Sequence, residues 1–103
     1  MITEIVKFSI PEGMSHEDVV TGFESTASVW KENPDLIRKN YLIDVERRTA
    51  GGVYLWKSKA DAQKWHGEEF KARVKAKYGS EPRFEYFETP VVVDNVADSI
   101  VKG

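Results

Sequence analysis

The sequence predicts one α+β domain with the element order β-α-β-β-α-β and a single four-stranded antiparallel sheet. Two segments carry apolar residues at helical spacing behind a capping serine. Four others either alternate apolar with polar residues or are short and rich in aromatic and β-branched residues. Proline and glycine separate these segments. A chain of 103 residues can bury a modest core without disulfides or metal ions.

The first strand is expected over residues 2–10, where Glu4 and Val6 begin a face that alternates with polar residues. Ser15 lies three residues before Asp18, which is the spacing of a capping box at a helix N-terminus. The apolar stripe of this first helix is Val19, Phe23, Ala27 and Trp30. Pro34 ends the helix.

A second strand is expected over residues 36–47 and a third over residues 53–56. Between them, Gly51 and Gly52 belong to a flexible segment, residues 49–52, that favours a hairpin turn. The third strand is compact and aromatic, and it has no polar residue on either side.

Ser58 and Asp61 again have cap spacing, and they open a second helix. Its apolar positions are Ala62, Trp65, Phe70 and Val74. Gly67 is a weak point within this helix, since glycine costs about 1 kcal/mol against alanine there. The last strand is expected over residues 84–93, with Pro90 near a sheet edge. This order is that of a ferredoxin-like fold, with both helices on one face of the sheet.

Composition limits the function classes. A net charge of -2 disfavours nucleic-acid binding, because phosphates require a surplus of Lys and Arg. The chain has no cysteine, which excludes thiolate metal sites and cysteine nucleophiles, and no other metal-ligand cluster is evident. The first residues lack the pattern of a signal peptide, and no segment is apolar enough for a membrane. We therefore expect a cytoplasmic protein with no nucleic-acid or membrane partner.

The predicted sheet has more apolar surface than its own helices can cover. Residues 53–56 are apolar on both sides, and Phe84 and Phe87 point to opposite sides of the last strand. A homodimer packed sheet against sheet would bury the excess. We divide the chain into a domain over residues 1–93 and a tail over residues 94–103. The tail is expected to form a short amphipathic turn that packs on the partner subunit, or alternatively on its own domain.

The segment Ala-Gly-Gly-Val-Tyr-Leu-Trp at residues 50–56, followed by Lys-Ser-Lys-Ala-Asp-Ala at residues 57–62, resembles the YdhR-like monooxygenases of the dimeric α+β barrel superfamily. The match extends more loosely over residues 6–87. The resemblance implies a ferredoxin-like dimer whose two sheets close into a barrel. The superfamily includes antibiotic-biosynthesis monooxygenases, which oxidise aromatic polyketides without metal or flavin. No cofactor is therefore expected.

The superfamily also includes haem-degrading oxygenases, and Trp65 matches the helix tryptophan of that branch. The sequence departs from the branch elsewhere. Val74 stands where a haem-ligating histidine is found, one turn after the equivalent of Phe70, and the first strand lacks the asparagine of that branch. The resemblance therefore does not extend to haem degradation.

Three polar residues are candidates for catalysis. His66 suits proton abstraction near neutral pH, and its alternative is an ordinary histidine on the surface or flank of the second helix. Arg38 and Asn40 share one face of the second strand. They would stabilise an oxyanion or enolate if that face lines a cavity, and they have no chemical role if it faces solvent. His16 lies at a helix start and is expected on the surface.

The aromatic residues are candidates for substrate binding, although a packed core would have the same composition. These candidates are Phe23, Trp30, Tyr41, Tyr54, Trp56 and Trp65. The leading hypothesis is a cofactor-independent monooxygenase acting on an aromatic or polyketide-like molecule. The alternatives are a non-catalytic dimer that binds small molecules or responds to stress, and an isomerase or lyase of the same superfamily.

Overall fold

The computed structural model describes all 103 residues, and its centre is the expected four-stranded antiparallel sheet. The strands are β1 (Ile2–Ser9), β2 (Leu36–Asp44), β3 (Thr49–Trp56) and β4 (Arg83–Glu88). Their spatial order is β2-β3-β1-β4, which places the first and third strands in the middle. This is the ferredoxin-like arrangement, so the fold class is confirmed.

Three helices accompany the sheet: α1 (His16–Lys31), α2 (Lys59–Trp65) and α3 (Glu68–Tyr78). The expected capping box is present at α1, where Ser15 and Asp18 each bond to the other's backbone N–H. Ser58 caps α2 by accepting from the Asp61 N–H. The core between sheet and helices consists of Val6, Phe8, Ile10, Val19, Ala50, Tyr54, Trp56, Ala62, Val74 and Tyr78. No helix is both long enough and apolar enough to cross a bilayer.

The expectation of one continuous second helix was wrong. Helix α2 ends at Trp65, and α3 begins after Gly67, which is its N-cap residue. His66 lies between them with φ −110° and ψ 42°, outside the helical region. The chain therefore changes direction at His66, and the orientation of this side chain no longer follows from helical periodicity.

The expected hairpin turn at Gly51 and Gly52 was also misplaced. The turn between β2 and β3 comprises residues 45–48, and Arg48 adopts a positive φ of 49°. Gly51 lies within β3, opposite Lys7 of β1. A Cβ atom at Gly51 would overlap the Val6 carbonyl oxygen, so close approach of two strands, rather than a turn, requires glycine there.

Residues 91–102 form a β-hairpin, so the tail over residues 94–103 is not the expected amphipathic turn and pairs with the end of the expected last strand. The strands of the hairpin are β5 (Val91–Asp94) and β6 (Ser99–Lys102), which pair with each other and with no strand of the main sheet. An exposed ion pair of 3.4 Å between Asp94 and Arg38 connects the hairpin to β2. Pro90 lies between β4 and β5, so the last strand of the main sheet ends earlier than expected.

Candidate active site

Four polar or aromatic side chains form a row across the helix-covered face of the sheet. Glu4 on β1 lies opposite Tyr54 on β3 and opposite Tyr86 on β4. Tyr54 in turn lies opposite Lys39 on β2. Residues paired directly across strands share a face, so the row runs Lys39, Tyr54, Glu4, Tyr86 beneath the helices. A carboxylate thus stands in the middle of an apolar sheet face.

Glu4 and His66 form a buried pair at the centre of the domain. The side chains of both residues are fully inaccessible to solvent. His66 Nδ1 lies 2.6 Å from Glu4 Oε1, and Trp56 Nε1 donates to the same oxygen at 2.9 Å. Burial of an ionisable pair gains less from mutual attraction than it loses in hydration unless further hydrogen bonds support it. The Trp56 contact supplies one such bond.

This hydrogen bond determines which nitrogen of His66 is available for chemistry. An ionised carboxylate only accepts hydrogen bonds, so Nδ1 carries the proton and Nε2 of the neutral ring carries a lone pair. His66 Nε2 and Glu4 Oε2 are buried and have no hydrogen-bond partner. Buried polar atoms are rarely left unpaired, and a catalytic role is one explanation for those that are. The pair therefore has the arrangement of a histidine base oriented by a carboxylate.

Aromatic rings surround His66. The ring centroids of Tyr54 and Phe70 lie 4.5 and 4.1 Å from the imidazole centroid, and that of Trp30 lies 5.4 Å away. Trp56 is almost as close, at 5.5 Å. Trp30 and Phe70 are only partly buried, so they separate the buried pair from solvent. Charge is poorly screened in such surroundings, which strengthens electrostatic interactions.

Lys39 extends over three of the aromatic rings. Its Nζ lies 3.8 Å from the ring centroid of Tyr41 and 4.5 Å from those of Trp30 and Tyr54. No carboxylate lies within 4.0 Å of this nitrogen. Burial lowers the pKa of Lys39 from 10.5 to about 7, and the negative charge of Glu4 opposes that fall.

The two tyrosines that flank Glu4 are held in their neutral form. Burial raises the pKa of Tyr86 to about 12, and the negative charge of Glu4 acts in the same direction. Burial also raises the pKa of Tyr54 well above its usual value, and Glu4 adds to that effect. Both phenols therefore remain protonated at neutral pH.

The structure brings together only some of the residues proposed from the sequence. His66, Trp30, Tyr54 and Trp56 form one cluster, and the alternative of a surface histidine was wrong. Tyr41 lies beside the cluster, under Lys39, where Phe23 stacks on it at 4.6 Å between ring centroids.

The other proposed residues lie elsewhere. Trp65 is partly exposed, and its Nε1 donates to Asp35 at 2.9 Å on the surface. Arg38 and Asn40 are exposed on the opposite face of the sheet, where they pair in register with Leu55 and Val53. The structure therefore does not bring these two residues together with His66.

Sequence reasoning missed Glu4, Lys39 and Tyr86. The alternation of β1 already placed Glu4 on the same face as Val6 and Phe8, so a lone carboxylate on an apolar strand face was the available signal. The same kind of signal was available for Lys39, because alternation places it on the face of Tyr41 and Ile43, opposite Arg38 and Asn40.

No group of three or more His, Asp or Glu side chains is arranged to hold a metal ion. Two surface depressions of the domain are lined by neither His66 nor Glu4. One is lined by residues of β2 and β3 around Arg47, and the other by α3 and the loop before β4. Access to the buried pair therefore requires movement of the partly buried side chains above it.

Comparison with known proteins places the chain in a family. Residues 5–96 match the model of the family described as "Putative mono-oxygenase ydhR". The chain belongs to this family. The resemblance stated from residues 50–62 is thereby confirmed. No curated protein matches the chain.

Solved structures share the fold of this ydhR family member. A protein of unknown function from Nitrosomonas europaea superposes with a TM-score of 0.68 at 14% identity, covering 85% of this chain and 87% of its own. SnoaB, a cofactor-independent oxygenase from Streptomyces nogalater, superposes with a TM-score of 0.64 at 13% identity, covering 91% of this chain and 97% of its own. A Streptomyces coelicolor monooxygenase from the gene ActVA-Orf6, in complex with nanaomycin D, superposes with a TM-score of 0.62 at 11% identity, covering 85% of this chain and 86% of its own. At these identities the matches show the fold alone.

Proposed function

We propose that this protein is a cofactor-independent monooxygenase that acts on an aromatic or polyketide-like small molecule, with His66 as the base. The observation that carries the proposal is the buried Glu4–His66 pair, whose Nε2 atom is unpartnered among aromatic rings. Membership of the ydhR family and a fold shared with cofactor-independent oxygenases support the reaction class.

In the proposed reaction, Nε2 of His66 accepts a proton from a carbon–hydrogen bond that is acidified by a neighbouring carbonyl group or aromatic ring. The electron pair stays on the substrate as a carbanion. The carbanion reduces O2 and combines with it, and protonation gives a hydroperoxide. Loss of water then leaves a carbonyl group. One oxygen atom enters the product, the other becomes water, and the substrate supplies all the electrons.

Glu4 is a positioning residue in this scheme. Its Oε1 fixes the orientation and tautomer of His66 and stabilises the imidazolium that forms when the proton is taken. Trp56 holds the carboxylate in place by donating to the same oxygen. The surrounding aromatic rings provide a flat, water-poor environment of the kind in which a fused-ring substrate stacks.

The proposal is tested by incubating the protein with anthrone under 18O2 and analysing the product by mass spectrometry. We expect oxygen uptake and one labelled carbonyl oxygen. Product formation that continues without oxygen would contradict the proposal and favour an isomerase or lyase. Tight binding of anthrone without turnover would contradict it in favour of a binding protein.

A pair of histidine variants distinguishes loss of the proposed base from a general effect of replacing a histidine. H66Q is expected to lose the rate acceleration that a general base contributes, about 10²–10⁴-fold. H16Q is the matched control, because His16 is the other histidine of the chain and lies exposed at the start of α1. Equal rates for the two variants would contradict the role of His66.

We further propose that the protein acts as a homodimer in which the open sheet face and the β5–β6 hairpin pack on a second copy. Phe87 on the open face is 51% exposed, and Val93 and Ile100 on the hairpin are 64% and 68% exposed. Each large apolar side chain contributes about 1.5–3 kcal/mol when it is buried. A second copy offers the same apolar surface, so a symmetric interface covers both.

Light scattering tests the dimer. We expect a mass twice the 11.8 kDa of one chain, and a monomer for the double variant V93D/I100D. V29D is the matched control, because Val29 is equally exposed but lies on α1, away from the hairpin. A wild-type monomer would contradict the proposal.

A further inference from the structure

From the sequence, Arg38 and Asn40 were the candidates for stabilising an oxyanion, and in the structure both side chains face away from the candidate site. Lys39, the residue between them, faces His66 across Tyr54. We propose that Lys39 binds the oxygen anion of the substrate, and that the ligands of this site are therefore flat phenols or enols bound as phenolates or enolates. This assignment rests on the function proposed above.

The first argument is the position of Lys39 relative to the base. Lys39 Nζ and the His66 ring each lie 4.5 Å from the centroid of Tyr54. Both also contact Trp30, at 4.5 Å for Lys39 and 5.4 Å for His66. The ammonium group of Lys39 and the imidazole of His66 therefore both lie next to the rings of Trp30 and Tyr54. A fused-ring compound that reached those rings after movement of the side chains above them would present its acidic carbon to His66 and its oxygen to Lys39.

The second argument is that no carboxylate contacts Lys39 directly. Glu4, the carboxylate of the same row of side chains, already accepts through Oε1 from His66 and Trp56. Lys39 is half-buried, its Nζ lies over three aromatic rings, and no carboxylate oxygen lies within 4.0 Å of that nitrogen. Ring faces attract a cation, but more weakly than an anion does in the same surroundings. A bound oxyanion supplies such a contact.

The third argument is that the backbone leaves room for the stem of Lys39. A Cβ atom at Gly52 would lie 3.2 Å from Lys39 Cε and 3.1 Å from Tyr54 Cε1. These distances are tight, so a side chain at Gly52 would displace both residues. The glycine thus lets the lysine stem lie flat on β3, with its charged end over the rings.

The chemistry needs no further reactant. When His66 takes the proton from carbon, the electron pair delocalises onto the neighbouring oxygen. An N–H of Lys39 then donates to that oxygen, which stabilises the anion through a charge-assisted hydrogen bond. The proton remains on His66 Nε2 until the substrate or solvent recovers it.

The test uses alizarin, a flat dihydroxyanthraquinone whose colour reports the ionisation of its more acidic 2-hydroxyl group. The 2-methyl ether of alizarin, in which that group cannot ionise, is the neutral analogue. We expect the wild type to bind alizarin as the phenolate and to lower the pKa of its hydroxyl by about 1 or more, as a cation at contact distance does. K39M is expected to lose this colour change and to bind the phenolate at least about tenfold more weakly. Its affinity for the methyl ether should stay within about twofold.

Further variants make the outcome specific to Lys39. K39R should retain much of the colour change, because it keeps the positive charge. K77M is the matched control, because Lys77 is an exposed lysine whose Nζ lies 5.7 Å from the ring centroid of Tyr78. An unchanged colour shift in K39M would overturn the proposal, as would failure of the wild type to bind the dye.

These results are separable from the proposed reaction. Dye ionisation that depends on Lys39 without any oxygen uptake supports the anion site and contradicts the monooxygenase. Oxygen uptake that is equal in K39M and the wild type supports the monooxygenase and overturns the role of Lys39.

Discussion

Replacement of Glu4 by leucine should be strongly destabilising, and replacement of both Glu4 and His66 should be less so. In E4L, the Nδ1–H of His66 and the Nε1–H of Trp56 lose their only acceptor. A buried donor without a partner costs about 1–3 kcal/mol, so the expected loss is about 2–6 kcal/mol of the free energy of unfolding. For a domain of this size, each kcal/mol shifts the melting temperature by about 4–8 °C.

The second single variant, H66L, leaves the Glu4 carboxylate buried with only Trp56 beside it. A buried polar group left without a partner costs about 1–3 kcal/mol, and a charged group such as this carboxylate costs more. In E4L/H66L only the Trp56 N–H lacks an acceptor, so the loss falls to about 1–3 kcal/mol. The double variant is therefore expected to be more stable than either single variant, with a coupling energy of several kcal/mol.

The assay is urea unfolding of all four proteins at one pH and one protein concentration, since dimerisation makes stability depend on concentration. The control is the same cycle on the exposed pair of Arg38 and Asp94, built from R38M and D94N, where a coupling below about 1 kcal/mol is expected. If the losses of E4L and H66L add to within about 0.5 kcal/mol, the two residues are not a coupled pair and the reasoning is refuted.

Three further predictions concern stability. K39M should stabilise the fold most below pH 7, by up to about 5 kcal/mol, because burial lowers the pKa of Lys39 from 10.5 to about 7. Between those two pH values the unfolded wild-type chain binds one more proton than the folded chain, so the advantage of K39M should shrink as the pH rises towards 10.5. Urea unfolding of both proteins at several pH values measures this trend. An advantage that does not change with pH would contradict the assigned cause. G51A should cost about 1–3 kcal/mol because its methyl group overlaps the Val6 carbonyl oxygen. The methyl group of G67A meets nothing closer than 3.8 Å, so this control should change stability by less than about 1 kcal/mol. Similar melting temperatures for the two variants would count against the placement of Gly51 within a strand. S58A should cost about 0.5–2 kcal/mol through loss of the α2 cap, and melts indistinguishable from wild type would show that the cap is not stabilising.

The sequence predicts the element order and the fold class because alternation, capping serines and proline are local signals. Ser15 with Asp18 and Ser58 with Asp61 marked the starts of the helices correctly. The position of Gly51 was misjudged because glycine serves both turns and close strand contacts, and only the neighbouring Val6 carbonyl distinguishes the two.

The candidate site was harder to predict because it depends on irregular backbone. A helical wheel drawn through Gly67 placed His66 on the flank of one helix, whereas the break between α2 and α3 turns its ring inward to Glu4, 62 positions away in sequence. Lys39 was missed for another reason: alternation already places it with Tyr41 and Ile43, but a lysine on that face was not considered as a site residue. Local patterns identify His66 as a candidate, but not the partner that makes it a base.

The claim that His66 is an oriented base is tested most directly by its tautomer, which needs no knowledge of the substrate. Long-range 1H–15N correlation spectra of the two histidines, recorded at about pH 8.5 where an ordinary imidazole is neutral, assign the proton to one nitrogen of each ring. The account predicts that His66 carries its proton on Nδ1 and has a bare Nε2, while the exposed His16 shows a mixture of both tautomers. A His66 ring with the proton on Nε2, or with the same tautomer mixture as His16, would contradict it.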